Sequence, residues 1–316
     1  MSDALTDAES TNPVLVEAVR GNMTESRHRG ALAVVDAHGR VVLSIGDTDS
    51  PVFARSGIKP IQALALVETG AAAGYHLANA LICGPSLPWT TEAQQALYES
   101  GGEPTRLHDN CSGKHAGFLT IAKHLGYPTQ GYNRMDHPVQ QRVIGVIEQM
   151  TGMDLFDAPK GMDGCGIPVI GIPLGNIALA MARLGDPHDQ PEERQKACAR
   201  IRRSMAAEPY LVAGKDRFCT RVIDALGEAA LVKTGAEGVY CATLTELGLG
   251  VAIKIDDGAQ RAAEAVMIRL LEKLGVLTEN AKGRLLNLLE PPIFSRSKEV
   301  VGWIKVDDRV LGLENA

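Results

Sequence analysis

Three features are missing from this sequence, and each absence excludes a class of protein. The 316 residues include 38 acidic and 32 basic side chains, so the net charge of −6 offers no basic surface for nucleic acid. No apolar run approaches the about 20 residues that cross a bilayer. The opening stretch, MSDALTDAESTNP, is polar and acidic and lacks the basic and apolar regions of a secretory signal. We therefore expect no nucleic-acid partner, no membrane association and a cytoplasmic location.

The cysteines also lack a pattern that would assign them a structural role. There are six of them, and none forms a C-x-x-C pair. In a chain of this length without an export signal, such usage predicts reduced thiols rather than a disulfide framework. Hydrophobic residues make up 45% of the chain, which is enough for a sizeable core. The length suits one large domain or two ordinary ones.

Strand patterns occur near both ends of the chain. Two β-branched runs around the turn DAHG, within residues 31–47, predict a β-hairpin, and PVLVEAVRG at 13–21 is a candidate third strand. Further along, GVYCATL and LGVAIKIDD flank the turn TELG and predict a second hairpin. A last strand is predicted near 299–306.

The middle of the chain has helical periodicity instead. From Ser56 onward, apolar residues recur at helical spacing, and glycine-rich connections separate the periodic segments, notably at 160–176. Helices are predicted near 90–99, 116–125, 138–151, 190–206 and 217–227, and a strongly periodic one at 259–275.

This arrangement predicts an α+β fold, with one largely antiparallel sheet built from both chain ends and a helical region inserted between them. We assign residues 13–55 and 230–316 to the sheet part and 56–229 to the helical part of a single domain. Residues 1–12 have the composition of a disordered tail.

The stretch FARSGIKPIQAL places Ser56 three residues before Lys59 at the head of a predicted helix. Residues i and i+3 share a helix face, and the free N–H groups of a helix start favour a developing oxyanion. Pro60 falls in the first turn, where its missing N–H costs little. Lys59 could take the Ser56 proton only as a neutral amine, which needs burial or a nearby cation. Taken alone, S-x-x-K is more typical of an N-cap serine with a surface lysine.

A second motif, LVKTGAEG, contains Lys233, Thr234 and Gly235. K-T-G on an edge strand accompanies S-x-x-K in serine β-lactamases and penicillin-binding proteins. The glycine would let a substrate lie against the strand, and Lys233 would lower the pKa of Lys59 by repulsion between like charges. K-T-G alone is typical of an ordinary turn. The order and separation of the two motifs nevertheless favour one serine–lysine site.

Two further segments, RLHDNCSGKHAGF and GMDGCGIPV, concentrate cysteine, histidine and aspartate. These residue types bind metals, and soft thiolates suit zinc, although the spacing is not that of a zinc finger. Read in isolation, Cys111 and Cys165 are better explained as buried thiols.

Taken together, NCSGKHAG, DGCGIP, RS-x-x-KP and VKTGAEG resemble the L-asparaginase II family of the rhizobial inducible type. The resemblance runs from about residue 13 to the last residues. It implies hydrolysis of L-asparagine to L-aspartate and ammonia through a serine acyl-enzyme, a fold similar to the serine β-lactamases and glutaminases, and a homodimer. It also implies a zinc ion that supports substrate binding and does not activate the attacking water.

The same resemblance implies roles for nine residues. Ser56 matches the nucleophile, Lys59 its base and Lys233 the second catalytic lysine. The residues that match substrate-binding positions are Arg55, His115 and Asp163. The residues that match zinc ligands are Cys111, Lys114 and Cys165, of which the lysine is unusual because its amine must be neutral to bind a metal.

One part of the family pattern is missing. Family members carry a serine-rich motif resembling ASHSGE between the S-x-x-K helix and the CGP stretch, and it supplies a second catalytic serine, the partner of the second lysine. Here residues 74–89 lead almost directly from the helix into Cys83-Gly84-Pro85, so about thirty residues are absent, judged from the domain anatomy of such folds. Ser86 is the nearest serine, but it does not match the motif.

Three functions follow from this pattern. The first is an active asparaginase, slowed by the missing serine, since loss of a general acid–base partner typically costs about 10²–10⁴-fold. The second is a catalytically impaired homologue that still binds zinc or asparagine. The third is a serine acyl-transferase of the penicillin-binding type. In that case penicillin would label Ser56 covalently.

Overall fold

The structure is a computed structural model and describes residues 12–71, 81–88 and 90–312. Most of the predicted tail lies outside these residues. Asn12, which we assigned to the tail, belongs to the folded part: its side chain accepts from the Asp47 N–H and donates to the Asp256 carboxylate at 2.8 Å. None of the helices in the described ranges combines the length and apolar character that crossing a bilayer requires.

A large antiparallel sheet lies at the centre of the molecule. Its strands are β1 Val14–Arg20, β2 Met23–Asp36, β3 Val41–Ile45, β7 Leu231–Thr234, β8 Val239–Leu244, β9 Leu249–Ile255, β10 Pro292–Phe294 and β11 Val300–Val306. Seven of them follow the order β10-β11-β1-β2-β9-β8-β7, and β3 pairs with β2 beside this path. Every pairing is antiparallel.

This sheet confirms the predicted α+β fold, because its strands come from both ends of the chain. β11 pairs with β1, so that Val306 lies opposite Val16. Both predicted hairpins form, as β2–β3 and β8–β9. β2 is long enough to pair with three strands. Its first half pairs with β1, and its second half pairs with β3 and β9.

A second, smaller sheet corrects the prediction for residues 160–176. That segment was expected to be a glycine-rich connection, yet it contains β5 Lys160–Met162 and β6 Pro168–Pro173, which pair in the order β4-β6-β5 with β4 Pro51–Phe53. The prolines at both ends of β6 and the glycine within it hide the strand pattern. The small sheet joins the segment before Ser56 to the segment that carries Asp163 and Cys165.

Ten α-helices surround the sheets within the described residues. They are α1 Lys59–Glu68, α2 Thr91–Glu99, α3 Ser112–His124, α4 Pro138–Thr151, α5 Leu174–Gly185, α6 Glu192–Ala207, α7 Pro209–Ala213, α8 Phe218–Leu226, α9 Gln260–Lys273 and α10 Glu279–Leu289. The helices predicted near 90–99, 138–151, 190–206, 217–227 and 259–275 are confirmed within a few residues. α3 begins four residues earlier than predicted. The sequence prediction missed α5, α7 and α10.

α5 was missed because its polar face is very narrow. Eight of its twelve residues are buried and the other four are half-buried, and the polar side chains on that face are only Asn176 and Arg183, which gives a weak helical pattern in the sequence. It packs against β2, β8 and β9. At Gly250 of β9, a Cβ would lie 1.9 Å from the Ala178 carbonyl oxygen, so only glycine permits this approach.

The large sheet separates two apolar cores. One contains residues of α8, α9 and α10 on one face, and the other contains residues of α1, α3, α4, α5 and α6 on the opposite face. Side chains of β7 and β8 that point to this second face therefore meet the inserted helical region, where the candidate site lies.

Candidate active site

Ser56 lies in a tight turn and not in α1 itself. Residues Arg55–Ile58 form one 3₁₀ turn, α1 begins at Lys59, and Pro60 occupies the first turn of α1 as predicted. Arg55 has φ of 50°, a left-handed conformation that costs a non-glycine residue about 1–2 kcal/mol. Its Nη2 lies 2.7 Å from Asp163 Oδ1 and its Nε donates to the same oxygen at 3.0 Å. This ion pair holds the strained residue directly before the candidate nucleophile.

The K-T-G motif lies on β7, at the edge of the large sheet as predicted, and packs against the Ser56 turn. A Cβ at Gly235 would lie 2.6 Å from the Ala54 carbonyl oxygen. A Cβ at Gly57, next to Ser56, would lie 2.9 Å from the Sγ of Cys241. The glycines at these positions therefore let turn and strand approach, which brings the S-x-x-K and K-T-G motifs together.

Lys233 points from β7 toward the helical region. It is paired in register with Cys241, so the two share a face of the sheet, and only 8% of Lys233 is exposed. Its Nζ donates to the Thr234 carbonyl oxygen at 3.0 Å. Burial lowers the pKa of Lys233 to about 8, and the charge of Lys59 contributes to the shift. The predicted effect of Lys233 on the pKa of Lys59 stays a prediction.

Lys59 is engaged by the segment that precedes α3. Its Nζ donates to the Asn110 carbonyl oxygen at 3.0 Å. Within the described residues, the Ser56 hydroxyl makes no hydrogen bond to any side chain, that of Lys59 included. Proton transfer between these two side chains would therefore require a hydrogen bond that this conformation does not contain.

Sequence reasoning missed a partly buried polar network beneath K-T-G. On the opposite face of β7, the Gln260 amide donates to Thr234 Oγ1 at 2.7 Å, and Tyr240 Oη donates to Glu264 Oε1 at 3.0 Å. Burial raises the pKa of Glu264. The available signal was the presence of Gln260 and Glu264, four residues apart on α9, among otherwise apolar core positions.

The second half of the site is a cluster at the start of α3. Cys111 is the N-cap residue of α3. The Sγ atoms of Cys111 and Cys165 and a carboxylate oxygen of Asp163 all lie within 4.8 Å of one another. The Nζ of Lys114 donates to Cys165 Sγ at 3.2 Å and lies 3.5 Å from Asp163 Oδ2. The structure thus brings together the three predicted zinc ligands and adds Asp163.

Charge in this cluster is balanced by close contacts. The neighbouring Cys165 thiol lowers the pKa of Cys111 to about 6, with help from Lys59 and Lys114. The interaction of the two thiols, together with burial, raises the pKa of Cys165 to about 12. Burial opposes ionisation of Asp163, yet Lys114 and Arg55 hold its pKa below the usual value. The Asp163 carboxylate therefore lies between two basic side chains, Arg55 and Lys114.

This donor set suits zinc. Two thiols and a carboxylate are ordinary zinc ligands, and a separation of up to 4.8 Å is near the limit for ligands of one ion, since Zn–S bonds are about 2.3 Å long. A small inward movement of the side chains would complete the site. Lys114 would have to release its proton to bind the ion itself.

His115 is the most buried of the predicted site residues, with 0% exposure. Its Nδ1 lies 2.6 Å from Tyr132 Oη, while its Nε2 has no hydrogen-bond partner of normal geometry in the described part of the chain. The prediction that His115 lines a substrate pocket stays a prediction.

A cavity of about 190 Å³ lies between α1 and α3. Its polar lining includes Lys59, Lys114 and Gln62, and its apolar lining includes Leu66 and Phe118. It therefore connects the candidate base of the serine with the lysine of the cysteine cluster. Gln62 Oε1 is buried without a hydrogen-bond partner among the described residues.

The position of the missing family segment lies mostly outside the described residues, since 72–80 and Trp89 are not described. The described chain resumes at Leu81, and two residues later the Sγ of Cys83 donates to the Arg106 carbonyl oxygen at 3.6 Å. Among the described residues, no hydrogen bond joins Ser86 to Lys233. Nothing in these contacts gives Ser86 the role of a second catalytic serine.

The model of the family described as L-asparaginase II matches residues 16–82 and 76–306, so the chain belongs to that family. The two matched segments meet at 76–82, where the sequence predicts the missing piece. Family membership supports an amidohydrolase. Among curated protein sequences, none matches this chain significantly.

Several solved structures are similar to this chain at low sequence identity. Mglu in its glutamate form is 13% identical, with a TM-score of 0.50; the alignment covers 78% of this chain but only 61% of Mglu. A Bacillus glutaminase is 12% identical, with a TM-score of 0.47 and coverage of 86% and 94%. A β-lactamase from Mycobacterium bovis is 13% identical, with a TM-score of 0.47 and coverage of 77% and 94%.

Proposed function

We propose that this protein hydrolyses L-asparagine to L-aspartate and ammonia through an acyl-enzyme on Ser56. The observation that carries the proposal is the contact of Gly235 with the Ala54 carbonyl, which brings the K-T-G strand against the turn that holds Ser56. The packing therefore places three candidate catalytic residues in one region, namely Ser56, Lys59 and the buried Lys233.

The chemistry then proceeds in two half-reactions. Lys59, released from the Asn110 carbonyl, takes the Ser56 proton, and Ser56 Oγ attacks the side-chain amide carbon. Backbone N–H groups of the Ser56 turn and of the K-T-G strand would stabilise the oxyanion. The amide nitrogen leaves as ammonia after receiving a proton, and an aspartyl ester remains on Ser56. Water then hydrolyses this ester and restores the serine.

The remaining predicted residues would hold the substrate. The guanidinium of Arg55 is a partner for the carboxylate of the amino acid, and Asp163 keeps that guanidinium in place through its ion pair. Zinc would be held by Cys111, Cys165 and Lys114, with Asp163 within reach. When bound, the ion would supply a positive charge that supports substrate binding.

The missing segment gives this enzyme an unusual Lys233. Without the second serine, Lys233 would have to exchange protons with substrate or water directly, and its lowered pKa of about 8 suits a group that both gives and takes a proton near neutrality. We expect slow turnover. A homodimer and a cytoplasmic location are further predictions from the family resemblance.

One observation favours the impaired homologue as a second candidate. No hydrogen bond joins Ser56 to Lys59 in the described structure, because Lys59 donates to Asn110. That candidate predicts that asparagine or zinc stabilises the protein against unfolding while no ammonia is released. The penicillin-binding alternative predicts covalent labelling of Ser56 by penicillin.

The test is ammonia release from L-asparagine by the purified protein, with and without added zinc. We expect slow release that Ser56→Ala abolishes. Ser204→Ala, at an exposed position of α6, serves as the matched control and should leave the rate unchanged. Equal rates for the parent and Ser56→Ala would disprove the acyl-enzyme. A folded parent that releases no ammonia, yet is stabilised by asparagine, would favour the impaired homologue.

A further inference from the structure

The K-T-G end of β7 is held from the face of the sheet opposite the candidate site, by residues to which the proposed mechanism assigns no role. Gln260 is the first residue of α9, which packs against that face. Its side-chain Nε2 donates to Thr234 Oγ1 at 2.7 Å. The Thr234 hydroxyl in turn donates to the Gly235 carbonyl oxygen at 3.1 Å. Two hydrogen bonds in series therefore connect α9 to the backbone of the motif.

The chemistry of the three groups fixes the direction of both hydrogen bonds. A carbonyl oxygen can only accept, so the proton between Thr234 and Gly235 must be the hydroxyl proton. The Thr234 oxygen is then the acceptor for Gln260, and the NH₂ group of the amide must face it. With the amide turned over, its oxygen and the Gly235 oxygen would compete for one proton and one acceptor would be left unpaired, which is unfavourable.

This arrangement commits the Thr234 hydroxyl to the protein itself. Its single proton is used on the Gly235 carbonyl oxygen, so the hydroxyl has no donor left for a substrate carboxylate. Thr234 is therefore part of the framework of the motif, whereas Lys233, on the other face of β7, is the side chain that points toward the candidate site.

The two bonds hold the backbone on which the reacting groups depend. The peptide group between Thr234 and Gly235 accepts from Lys233 Nζ through its oxygen at 3.0 Å. Its N–H donates to the Val239 carbonyl oxygen at 2.7 Å. Gly235 also makes the close approach to the Ala54 carbonyl that brings strand and turn together. A rotation of the backbone at Gly235 would therefore displace the acceptor of the lysine amine and the contact with the turn together.

Gln260 is a firm anchor because the first turn of α9 is itself fixed to β2. Asp257 Oδ1 accepts from the Ala259 N–H at 2.9 Å, and Asp257 Oδ2 lies 2.6 Å from Nδ1 of the buried His28. On the other side of Gln260, Arg261 Nε donates to His28 Nε2 at 3.2 Å. These contacts keep the backbone of Gln260 in place, so that its side chain can impose a position on the strand.

We propose that Gln260 positions the K-T-G backbone through Thr234, by the two hydrogen bonds in series that end at Gly235. Gln260 is a positioning residue: it acts through the strand that carries Lys233 and touches no substrate. The proposal deepens the proposed function and rests on it, because this position affects a reaction only if the K-T-G strand and Ser56 form one reaction centre. The hydrogen bonds themselves can be tested without turnover.

The first measurement is amide hydrogen exchange at Gly235, whose N–H is bound to β8. Gln260→Met and Thr234→Val keep the size of the side chain and remove a hydrogen bond. We expect the Gly235 amide of both variants to exchange about 3–10-fold faster, as for the loss of one ordinary hydrogen bond. Thr234→Ser keeps the hydroxyl and should exchange like the parent.

The amide of Ala33 in β2 reports opening of the whole sheet and should change less than that of Gly235. Parental exchange at Gly235 in Gln260→Met would overturn the proposal. An equal change at Gly235 and Ala33 would also overturn it, because the substitution would then have lowered only the global stability.

The second measurement is steady-state kinetics of Gln260→Glu, which keeps the side-chain length but offers only oxygens. Its carboxylate would take the Thr234 proton away from the Gly235 carbonyl, so the contact with Thr234 would survive while the bond to Gly235 is lost. We expect kcat for asparagine to fall about 3–10-fold in Gln260→Glu and Gln260→Met, with little change in KM. Thr234→Val should lose the same factor and Thr234→Ser should retain the parental kcat.

Gln95→Glu and Gln95→Met are the matched controls, because the exposed Gln95 also lies four residues before a glutamate on a helix, and both should leave the kinetics unchanged. Urea unfolding shows whether each variant is folded in the assay. Parental kcat in folded Gln260→Glu would refute the proposal, since any contact with Thr234 would then be sufficient. A parent with the expected exchange pattern that releases no ammonia would refute only the amidohydrolase.

Discussion

The two halves of the candidate site differ in what holds them. The lysine half stands on a strand of the large sheet, where Lys233 is fixed by register with β8 and supported from behind by Gln260, Tyr240 and Glu264. The cysteine half lies at the start of α3 and on the turn after β5. These two segments are joined by side-chain contacts of Lys114 with Cys165 and with Asp163. One half is positioned by backbone pairing, and the other by charge and hydrogen bonds.

This difference teaches where the loss of a family segment can be tolerated. The sheet half receives its strands from both chain ends and needs nothing from the region around residue 80. The cysteine half borders that region, through Cys83 and through the Ile82 N–H that binds Tyr132. Altering the segment therefore affects the surroundings of the cysteine half, while the strands that position Lys233 are kept even though the serine partner of that lysine is missing.

The largest effect on this comparison should come from Lys233→Met. We expect it to lower the asparaginase rate about 10²–10⁴-fold, as for loss of a general acid–base group. The same change should stabilise the protein at pH 7 by on the order of 3 kcal/mol, because a lysine with pKa lowered from 10.5 to about 8 is a destabilising buried cation.

The size of that stability change depends on pH. Between about pH 8 and 10.5 the folded parent has a neutral Lys233 while the unfolded chain stays protonated, so parent stability rises with pH relative to the variant. Urea unfolding at pH 7 and pH 10 should show the advantage of Lys233→Met shrinking. Lys305→Met, at an exposed lysine, should show no such trend. An advantage independent of pH would contradict the burial of an ionisable amine.

Gly235→Ala should break the contact between strand and turn. The new methyl group would lie 2.6 Å from the Ala54 carbonyl oxygen and 2.9 Å from Val239 Cβ, so the turn must shift, and overpacking of this kind costs about 1–3 kcal/mol. We expect reduced stability in urea and a lower kcat. Gly283→Ala in α10, with no atom within 4 Å, should instead be neutral or stabilising. Equal behaviour of the two variants would mean that the close contact is unimportant.

The smallest predicted effect concerns the strain before the nucleophile. Arg55→Ala and Arg55→Gly both remove the ion pair with Asp163, but glycine accepts the φ of 50°. Arg55→Gly should therefore be more stable than Arg55→Ala by about 1 kcal/mol, and both should raise the KM for asparagine. Chemical denaturation and steady-state kinetics measure the two quantities. Equal stability of the variants would show that the conformation changes once the ion pair is lost.

The helices and strands that could be predicted are those in which apolar residues recur at a regular spacing along the sequence. β2, β3, β8, β9 and β11 alternate or cluster β-branched residues, and α4, α6 and α9 carry apolar stripes. α5 was missed because its polar face is reduced to Asn176 and Arg183, and β6 because prolines bound it. Of these two segments β6 lies close to the site, because it pairs with β4 and β5.

The composition of the site could be predicted, but not its geometry. Motif matching selected Cys111, Lys114 and Cys165, and the structure brings them together. It could not reveal that Asp163 contacts both Arg55 and Lys114, since those contacts join residues far apart in sequence. The hydrogen bond of Lys59 to Asn110 and the complete burial of His115 likewise depend on how α1 and α3 are placed.

The closure of the sheet has a consequence for how the protein is made. β1 forms backbone hydrogen bonds with β2 along one edge and with β11 along the other, and Val16 lies opposite Val306. The second edge of β1 can be paired only after residue 306 has been synthesised. During synthesis the first hairpin must therefore stay with an unpaired edge until nearly the whole described chain has left the ribosome, and such edges invite pairing with other chains. Pairing at this sequence distance is slow. We therefore expect the yield of folded protein to depend on the expression temperature and on chaperones. This dependence should be stronger than expected from the free energy of unfolding alone.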